Sequence, residues 1–189
     1  RQGVLEPSIS PWNSPVFLVR KKTKEGERPQ WRTVVDYRLC NKNLKKVYNG
    51  MCSMDEVVDL VSQQLDQAKS GENGNKEPTL YISTLDNKSG FYSIPLNPES
   101  RPITAISGPH SHLQFRRLPM GISSAPALYT FAITTLLKDV LQTGSTQIYQ
   151  DDVIVATTKF ENHVDTLKSI FTKYDEANIR INGRKSAIC

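Results

Sequence analysis

The sequence predicts an α+β protein in which helices cover one face of a mainly antiparallel sheet. Three observations carry this reading. Apolar residues recur at strand spacing in some stretches and at helix spacing in others, Gly and Pro turn signals separate short β-branched runs, and the two kinds of element interleave without a regular βαβα order. At 189 residues, 38% of them apolar, the chain can bury the core of one large domain or two small ones.

Taken in order, residues 7–15 are punctuated by Pro and Ser and are extended rather than helical. Residues 16–19 form a short strand running into the cationic turn 20–26. Residues 31–37, β-branched and aromatic, pair with that strand as a hairpin that holds the basic turn out as a finger. Ser53 and Glu56 make a capping box, the hydroxyl accepting a free backbone N–H while the carboxylate reaches back. The box opens a helix whose expected buried face is Met54, Val57, Val58, Val61 and Leu65, ending before the polar Gly/Asn loop 69–78.

Residues 80–85 form a strand that delivers Asp86 at its end. Two more are expected at 103–107 and 113–117, with Gly108-Pro109 as the turn between them. Beyond Pro119-Met120-Gly121, Ser124 is the expected N-cap of a helix that carries Pro126 in its first turn and buries Leu128, Phe131, Ala132 and Leu136. Residues 147–149 and 153–155 are short strands separated by Gln150-Asp151-Asp152. A second capping box, from Thr158 to Glu161, opens a helix with a stripe of Val164, Leu167, Phe171 and Tyr174. No internal repeat is visible.

Composition narrows the function classes. No stretch approaches the ~18 uninterrupted apolar residues of a transmembrane helix, and the N-terminus does not read as a signal peptide. Cys40, Cys52 and Cys189 make no CxxC and have no His pair nearby, so neither a disulfide scaffold nor a structural zinc site is expected, and a reducing compartment is the default. The chain opens on Arg1 and is expected to be a piece of a longer polypeptide. Its net charge of +5 is uneven, with residues 1–50 carrying +7 and residues 51–100 carrying −5. A basic first block with interleaved aromatics suits a phosphate-bearing partner, although a solvated basic face accounts for the charge equally well.

The chemistry lies in three aspartates. Asp151 and Asp152 stand side by side at a tight hairpin between two apolar strands, and only a turn lets adjacent side chains approach one site. Two carboxylates held close repel by an energy on the order of several kcal/mol unless a cation compensates. Asp86, at the end of another apolar strand, supplies a third hard oxygen ligand. Such a set suits magnesium or manganese, with phosphate oxygens completing the shell. An Asp-Asp pair alone is also common in surface turns.

Tyr149-Gln150-Asp151-Asp152 resembles the YxDD signature of reverse transcriptases. Leu5-Glu6-Pro7-Ser8, Ser10-Pro11-Trp12 and Ser14-Pro15-Val16 resemble the opening of the polymerase domain in gypsy-like LTR retrotransposons and retroviruses. Trp31-Arg32, Val35-Asp36-Tyr37-Arg38 and Asn41-Lys42 resemble the WR…VDYR.LN segment of that family. Ser83-Thr84-Leu85-Asp86 with Lys88-Ser89-Gly90-Phe91-Tyr92 resembles its S.LDLKSGY block, and Leu118-Pro119-Met120-Gly121 with Ser124-Ala125-Pro126-Ala127 its LP.G…AP helix entry. His163, Leu167, Asn178, Ile179 and Asn182 resemble the tail that follows. The blocks run in order over nearly the whole chain.

The resemblance implies the fingers and palm of a right-hand polymerase in a Pol polyprotein. Fingers would occupy about 1–50 and 94–118 and palm about 51–93 and 119–189. The palm would be a mainly antiparallel, ferredoxin-like sheet with helices on one face, and thumb, connection and RNase H would lie outside. The implied activity is RNA-directed DNA polymerase, adding deoxynucleotides to a primer 3′-OH by two-metal-ion phosphoryl transfer. Asp86, Asp151 and Asp152 would be the catalytic carboxylates and, with the carbonyl of Asn87, would hold two Mg2+ (or Mn2+) ions.

In the same family Arg32 resembles the fingers arginine over the triphosphate. Lys21 resembles the lysine at the terminal phosphate; the interval to Arg32 is longer than in the lentiviral pattern, so Lys22 or Lys24 are alternatives. Phe91 falls at the steric gate that crowds the sugar C2′, the alternative being a core aromatic. Met120 stands in the dNTP site where relatives carry an aromatic or Gln, and Tyr149, Gln150 and Gly121 would meet primer and template. Lys185 resembles the lysine of the strand pair beyond the palm helix. His110-Ser111-His112 reads as a loop rather than a metal pair, and 69–78 as an insertion away from the chemistry.

The implied partners are an RNA or DNA template with primer, dNTPs, and downstream thumb, connection, RNase H and integrase regions, with no membrane. The implied location is cytoplasmic particles, then the nucleus. Two other readings stay open: a catalytically inactive retroelement relic that binds nucleic acid, and a viral RNA-dependent RNA polymerase, against which the ring of Phe91 argues. No P-loop is present.

Overall fold

The structure is a computed structural model that describes residues 3–22, 26, 28–48, 50, 52–71, 79–108 and 111–189. In chain order its first elements are β1 (Leu5–Pro7), β2 (Val16–Arg20), β3 (Trp31–Val35), α1 (Arg38–Asn43), α2 (Met54–Gly71) and β4 (Tyr81–Asp86). Then come β5 (Ile106–Gly108), β6 (Ser111–Phe115), α3 (Ala125–Leu136), α4 (Lys138–Leu141), β7 (Thr146–Tyr149), β8 (Asp152–Thr157) and α5 (Phe160–Glu176). All ladders between these strands are antiparallel, so the fold class is α+β, as the sequence predicts. The chain divides into two compact units, Arg1–Tyr48 with Phe91–Pro126, and Asn49–Gly90 with Ala127–Cys189.

In the first unit β6 lies between β1 and β5, while β2 and β3 form a separate two-stranded ribbon. Its core gathers Tyr37, Ile106, Phe115, Leu118, Ile122 and Ala125. Tyr37 is buried to its tip because its hydroxyl donates to the carbonyl of Thr104 at 2.9 Å, which satisfies the polar end of a large apolar side chain. Ribbon residues 16–20 are all exposed; they pair from Val16↔Val35 to Arg20↔Trp31. Residues 103–105 are not the start of a strand: Pro102 and the Thr104 hydroxyl, bonded to the carbonyl of Arg101, close a 3-10 turn, and β5 begins at Ile106. Likewise β6 spans Ser111–Phe115 rather than 113–117. Pro109, His110, Lys24 and most of the 69–78 stretch lie outside the described residues.

The second unit holds the sheet β4-β8-β7, with α2 packed on β7 and β8 and α5 on β8. Leu85, Val153 and Val155 point inward and are wholly buried, as strand alternation requires. The capping box forms as expected: Ser53 N–H donates to Glu56 Oε2 at 2.9 Å and Glu56 N–H to Ser53 Oγ at 3.2 Å. The buried helix faces differ from expectation. On α2, Val57 is buried with Leu60, Gln64 and Ala68, whereas Met54 and Val58 are exposed, and the helix runs on to Gly71.

On α3 the buried row is Ala125, Tyr129 and Ile133, continued by Leu137 just past its end, with Phe131 exposed. That helix is apolar nearly all round, so its periodicity offers two faces and packing selects the one that seats the Tyr129 ring. On α5 the row is His163, Leu167, Ile170 and Tyr174, because a satisfied histidine can take a core position. The second capping box does not form: Lys159 is the N-cap, without a side-chain bond, and the Thr157 hydroxyl turns to the Lys159 carbonyl instead.

Candidate active site

The sheet of the second unit brings the predicted carboxylates to one end. Asp86, the last residue of β4, stands directly opposite Asp152, the first of β8, and Tyr149 pairs with Asp152 from the other side. Gln150 and Asp151 are thus a two-residue hairpin loop. Gln150 meets that loop's geometry with φ of +52°, and Ser89, three residues beyond Asp86, has φ of +55°. Left-handed backbone at non-glycine residues is costly and concentrates where a structure holds reacting groups in place.

Charge crowding follows from this placement. Partial burial, then the charges of Asp152 and Asp86, raise the pKa of the Asp151 carboxyl, with Lys185 opposing. Partial burial and Asp86 raise that of Asp152, again with Lys185 opposing. Lys185 Nζ lies 3.6 Å from Asp86 Oδ2. The carboxylates interact through space without converging on one point: among the described residues no group of three or more His, Cys, Asp or Glu side chains is spaced to hold a metal ion. Their donor chemistry nevertheless fits a hard divalent cation, being all oxygen, anionic and mutually repulsive.

The backbone beside Asp86 is pinned from both sides. Its carbonyl accepts Asn182 N–H at 2.8 Å, its N–H donates to Ser186 Oγ at 3.0 Å, and Lys88 N–H donates to Arg180 C=O. These bonds flank Asn87, whose own N–H and C=O therefore face away from residues 180–182. The N–H meets the Asp151 carbonyl at 3.3 Å, so the Asn87 carbonyl opens on the side of the β7–β8 loop. The Asn87 side chain points into the core, where Nδ2 donates to the hydroxyls of Tyr129 at 2.7 Å and Tyr174 at 3.1 Å. Burial, then Tyr174 and the charges of Asp151 and Asp152, raise the Tyr129 phenol well above its ordinary range. Gly90 leaves the space for that ring, since a Cβ there would stand 2.7 Å from it.

The remaining predicted residues belong to the first unit. Lys21, Lys22 and Arg32 line a cleft of about 350 Å³ on the β2–β3 ribbon with Val19 and Arg20. Phe91 is half-buried and packs against the core of its unit. Met120 is 46% exposed. Gly121 takes φ of +97°, its carbonyl accepts Asn41 Nδ2 at 2.8 Å, and Asn41 Oδ1 accepts Ser123 N–H at 2.8 Å, so Asn41 shapes that turn. His112 is engaged structurally, with Ser107 Oγ and the Ser10 carbonyl each 3.0 Å from a ring nitrogen. Sequence reasoning missed Tyr129, Tyr174 and Ser186 around the carboxylates; aromatics at helical spacing and a lone Ser carry no signal that separates this use from ordinary packing.

Comparison with solved structures places the fold. The crystal structure of a prototype foamy virus protease–reverse transcriptase mutant matches 99% of this chain and 22% of its own, with TM-score 0.77 and 32% identity. A foamy viral protease–reverse transcriptase in complex with RNA/DNA hybrid matches 98% of this chain and 22% of its own, with TM-score 0.76 and 28% identity. The fold is thus that of the fingers and palm portion of a reverse transcriptase.

The family follows directly. Residues 19–189 match the family described as reverse transcriptase (RNA-dependent DNA polymerase), and the chain belongs to it. It is 32% identical to the retrovirus-related Pol polyprotein from transposon 412 of Drosophila melanogaster over 98% of its length, and 31% identical to the Pro-Pol polyprotein of simian foamy virus type 1 over all of it. It spans 14% of the length of each.

Proposed function

We propose that this chain carries the nucleotidyl-transfer centre of an RNA-directed DNA polymerase, the fingers and palm of a retroelement Pol polyprotein. The observation that carries the reading is the register Asp86↔Asp152 with Asp151 in the adjoining loop, in a chain of this family. Asp86, Asp151 and Asp152, with the Asn87 carbonyl, are the residues to hold two Mg2+ or Mn2+ ions. When bound, these ions supply charge neutralisation at the triphosphate and favour the ionised primer 3′-hydroxyl.

The chain's own residues do the rest. Arg32 and Lys21, with Lys22 as the nearby substitute, bind the triphosphate on the ribbon cleft, the first as a planar fork and the second as a point charge. Phe91 crowds the sugar C2′ and disfavours a ribose, and Met120 packs beneath the nucleotide. Tyr149, Gln150 and Gly121 contact primer and template. Lys185, whose Nζ lies 3.6 Å from Asp86 Oδ2, stands near the phosphates or donates a proton in this reading. Template and primer are RNA or DNA, in keeping with the hybrid held by the foamy viral relative. Thumb, connection, RNase H and integrase regions of the same polyprotein, and residence in cytoplasmic particles with passage to the nucleus, belong to the same reading.

The test is extension of an oligo(dT) primer on an RNA template at low salt, because backbone contacts weaken as salt rises. The reading expects dTMP addition that requires Mg2+ or Mn2+ and stops with chelator. A folded chain that binds template-primer and adds nothing under these conditions contradicts it.

A further inference from the structure

We propose that the Asn87 side chain, clamped by the phenols of Tyr129 and Tyr174, is a positioning device that sets the spacing of Asp86 against Asp151 and Asp152 and so tunes divalent-cation affinity. The inference rests on the polymerase reading above.

Asn is a costly choice at this place. A leucine here would fill much the same space without polar atoms. Asn87 is only 6% exposed, and its Oδ1 has no hydrogen-bond partner among the described residues. In either orientation of the amide, one end meets both phenols and the other meets none. A half-satisfied buried network stabilises less than an apolar core, so stability alone does not account for it.

What the network does provide is direction. Tyr129 and Tyr174 are each 1% exposed, come from different helices, α3 and α5, and grip one amide end at 2.7 and 3.1 Å. Gly90 is shaped to admit the first of these rings. The residue so pinned is the one whose N–H extends the β4–β8 pairing past Asp86 onto the carbonyl of Asp151. Two side-chain bonds to the phenols and one main-chain bond to Asp151 hold residue 87, next to Asp86, in the sheet. A leucine would occupy the floor and keep these main-chain bonds, yet lose the two side-chain bonds that hold residue 87 from the core side, and buried partners that orient ligands typically change metal affinity by about 10–100-fold when removed.

The experiment measures binding of Mn2+ alone, without nucleotide, by electron paramagnetic resonance, beside thermal melting, for the parent, Asn87→Leu, and Asn87→Leu combined with Tyr129→Phe and Tyr174→Phe. Asp86→Asn serves as the control for site occupancy. The combined variant replaces the whole network by apolar groups of similar shape, so it is expected to melt at or above the parent while binding Mn2+ about 10-fold more weakly. The Mg2+ requirement for single-nucleotide addition should rise by a similar factor. A folded combined variant that binds Mn2+ as tightly as the parent overturns the positioning role and leaves the polymerase reading intact. If both variants fail to fold, the network is structural and the proposal falls. If the parent binds no more Mn2+ than Asp86→Asn, both the proposal and the polymerase reading fall.

Discussion

Nε2 of the buried His163 lies 2.7 Å from Oγ of Ser83, and the bonds around the pair favour one tautomer of the ring. Thr157 Oγ1 donates to the Lys159 carbonyl at 3.2 Å, so it accepts Nδ1–H of His163 at 3.0 Å. Nε2 is then the acceptor for the Ser83 hydroxyl, whose oxygen in turn accepts Cys189 N–H at 3.1 Å. One neutral ring thereby ties β4, β8, α5 and the segment after α5 together.

That arrangement sets a pH dependence. Burial lowers the His163 pKa below its ordinary 6.5, so the unfolded chain binds this proton more readily than the folded one. Stability from this residue is complete above that ordinary value and is lost as pH falls through it toward the folded pKa. Urea midpoints at pH 7.5 and 5.5 should drop more for the parent than for His163→Gln. Equal drops would assign the pH dependence to other groups.

Gly90 should resist enlargement. An alanine Cβ would stand 2.7 Å from the Tyr129 ring, which is fully enclosed and cannot swing aside cheaply. Gly90→Ala is expected to cost about 1–3 kcal/mol of stability, as core overpacking does. A melting temperature equal to the parent's would show that the ring can move, and would weaken the case for a rigid floor beneath Asn87.

Phe91 offers a test of sugar discrimination. If its ring crowds the C2′ position, Phe91→Val should lower the preference for dTTP over UTP by roughly tenfold or more in single-nucleotide addition, equivalent to about 1.4 kcal/mol of relieved crowding. Unchanged discrimination would return Phe91 to the packing role its half-buried place already gives it.

Much of this was legible in the residues and some was not, for physical reasons. Asp86, Asp151 and Asp152 announce themselves because ionisable residues interrupt apolar strands, and the Ser53 box because its two bonds are local in sequence. Helix faces were misjudged where apolar residues outnumber one stripe, as on α3, or where a polar residue fills a core place through its bonds, as His163 and Gln64 do. Helix α1 is short and without a side-chain cap, so it has no local signal. The Asn87–Tyr129–Tyr174 cluster joins residues 42 and 87 positions apart, and spacing along a chain says nothing of such a meeting.

The central claim is that the carboxylate at the end of β4 serves nucleotidyl transfer, and the most direct measurement is the rate of single-nucleotide addition by Asp86→Asn under saturating dTTP and Mg2+. The expected result is a loss of about 10²–10³-fold or more in that rate, with the chain still folded and its template-primer affinity nearly unchanged. Addition by Asp86→Asn at the parent's rate would contradict the account.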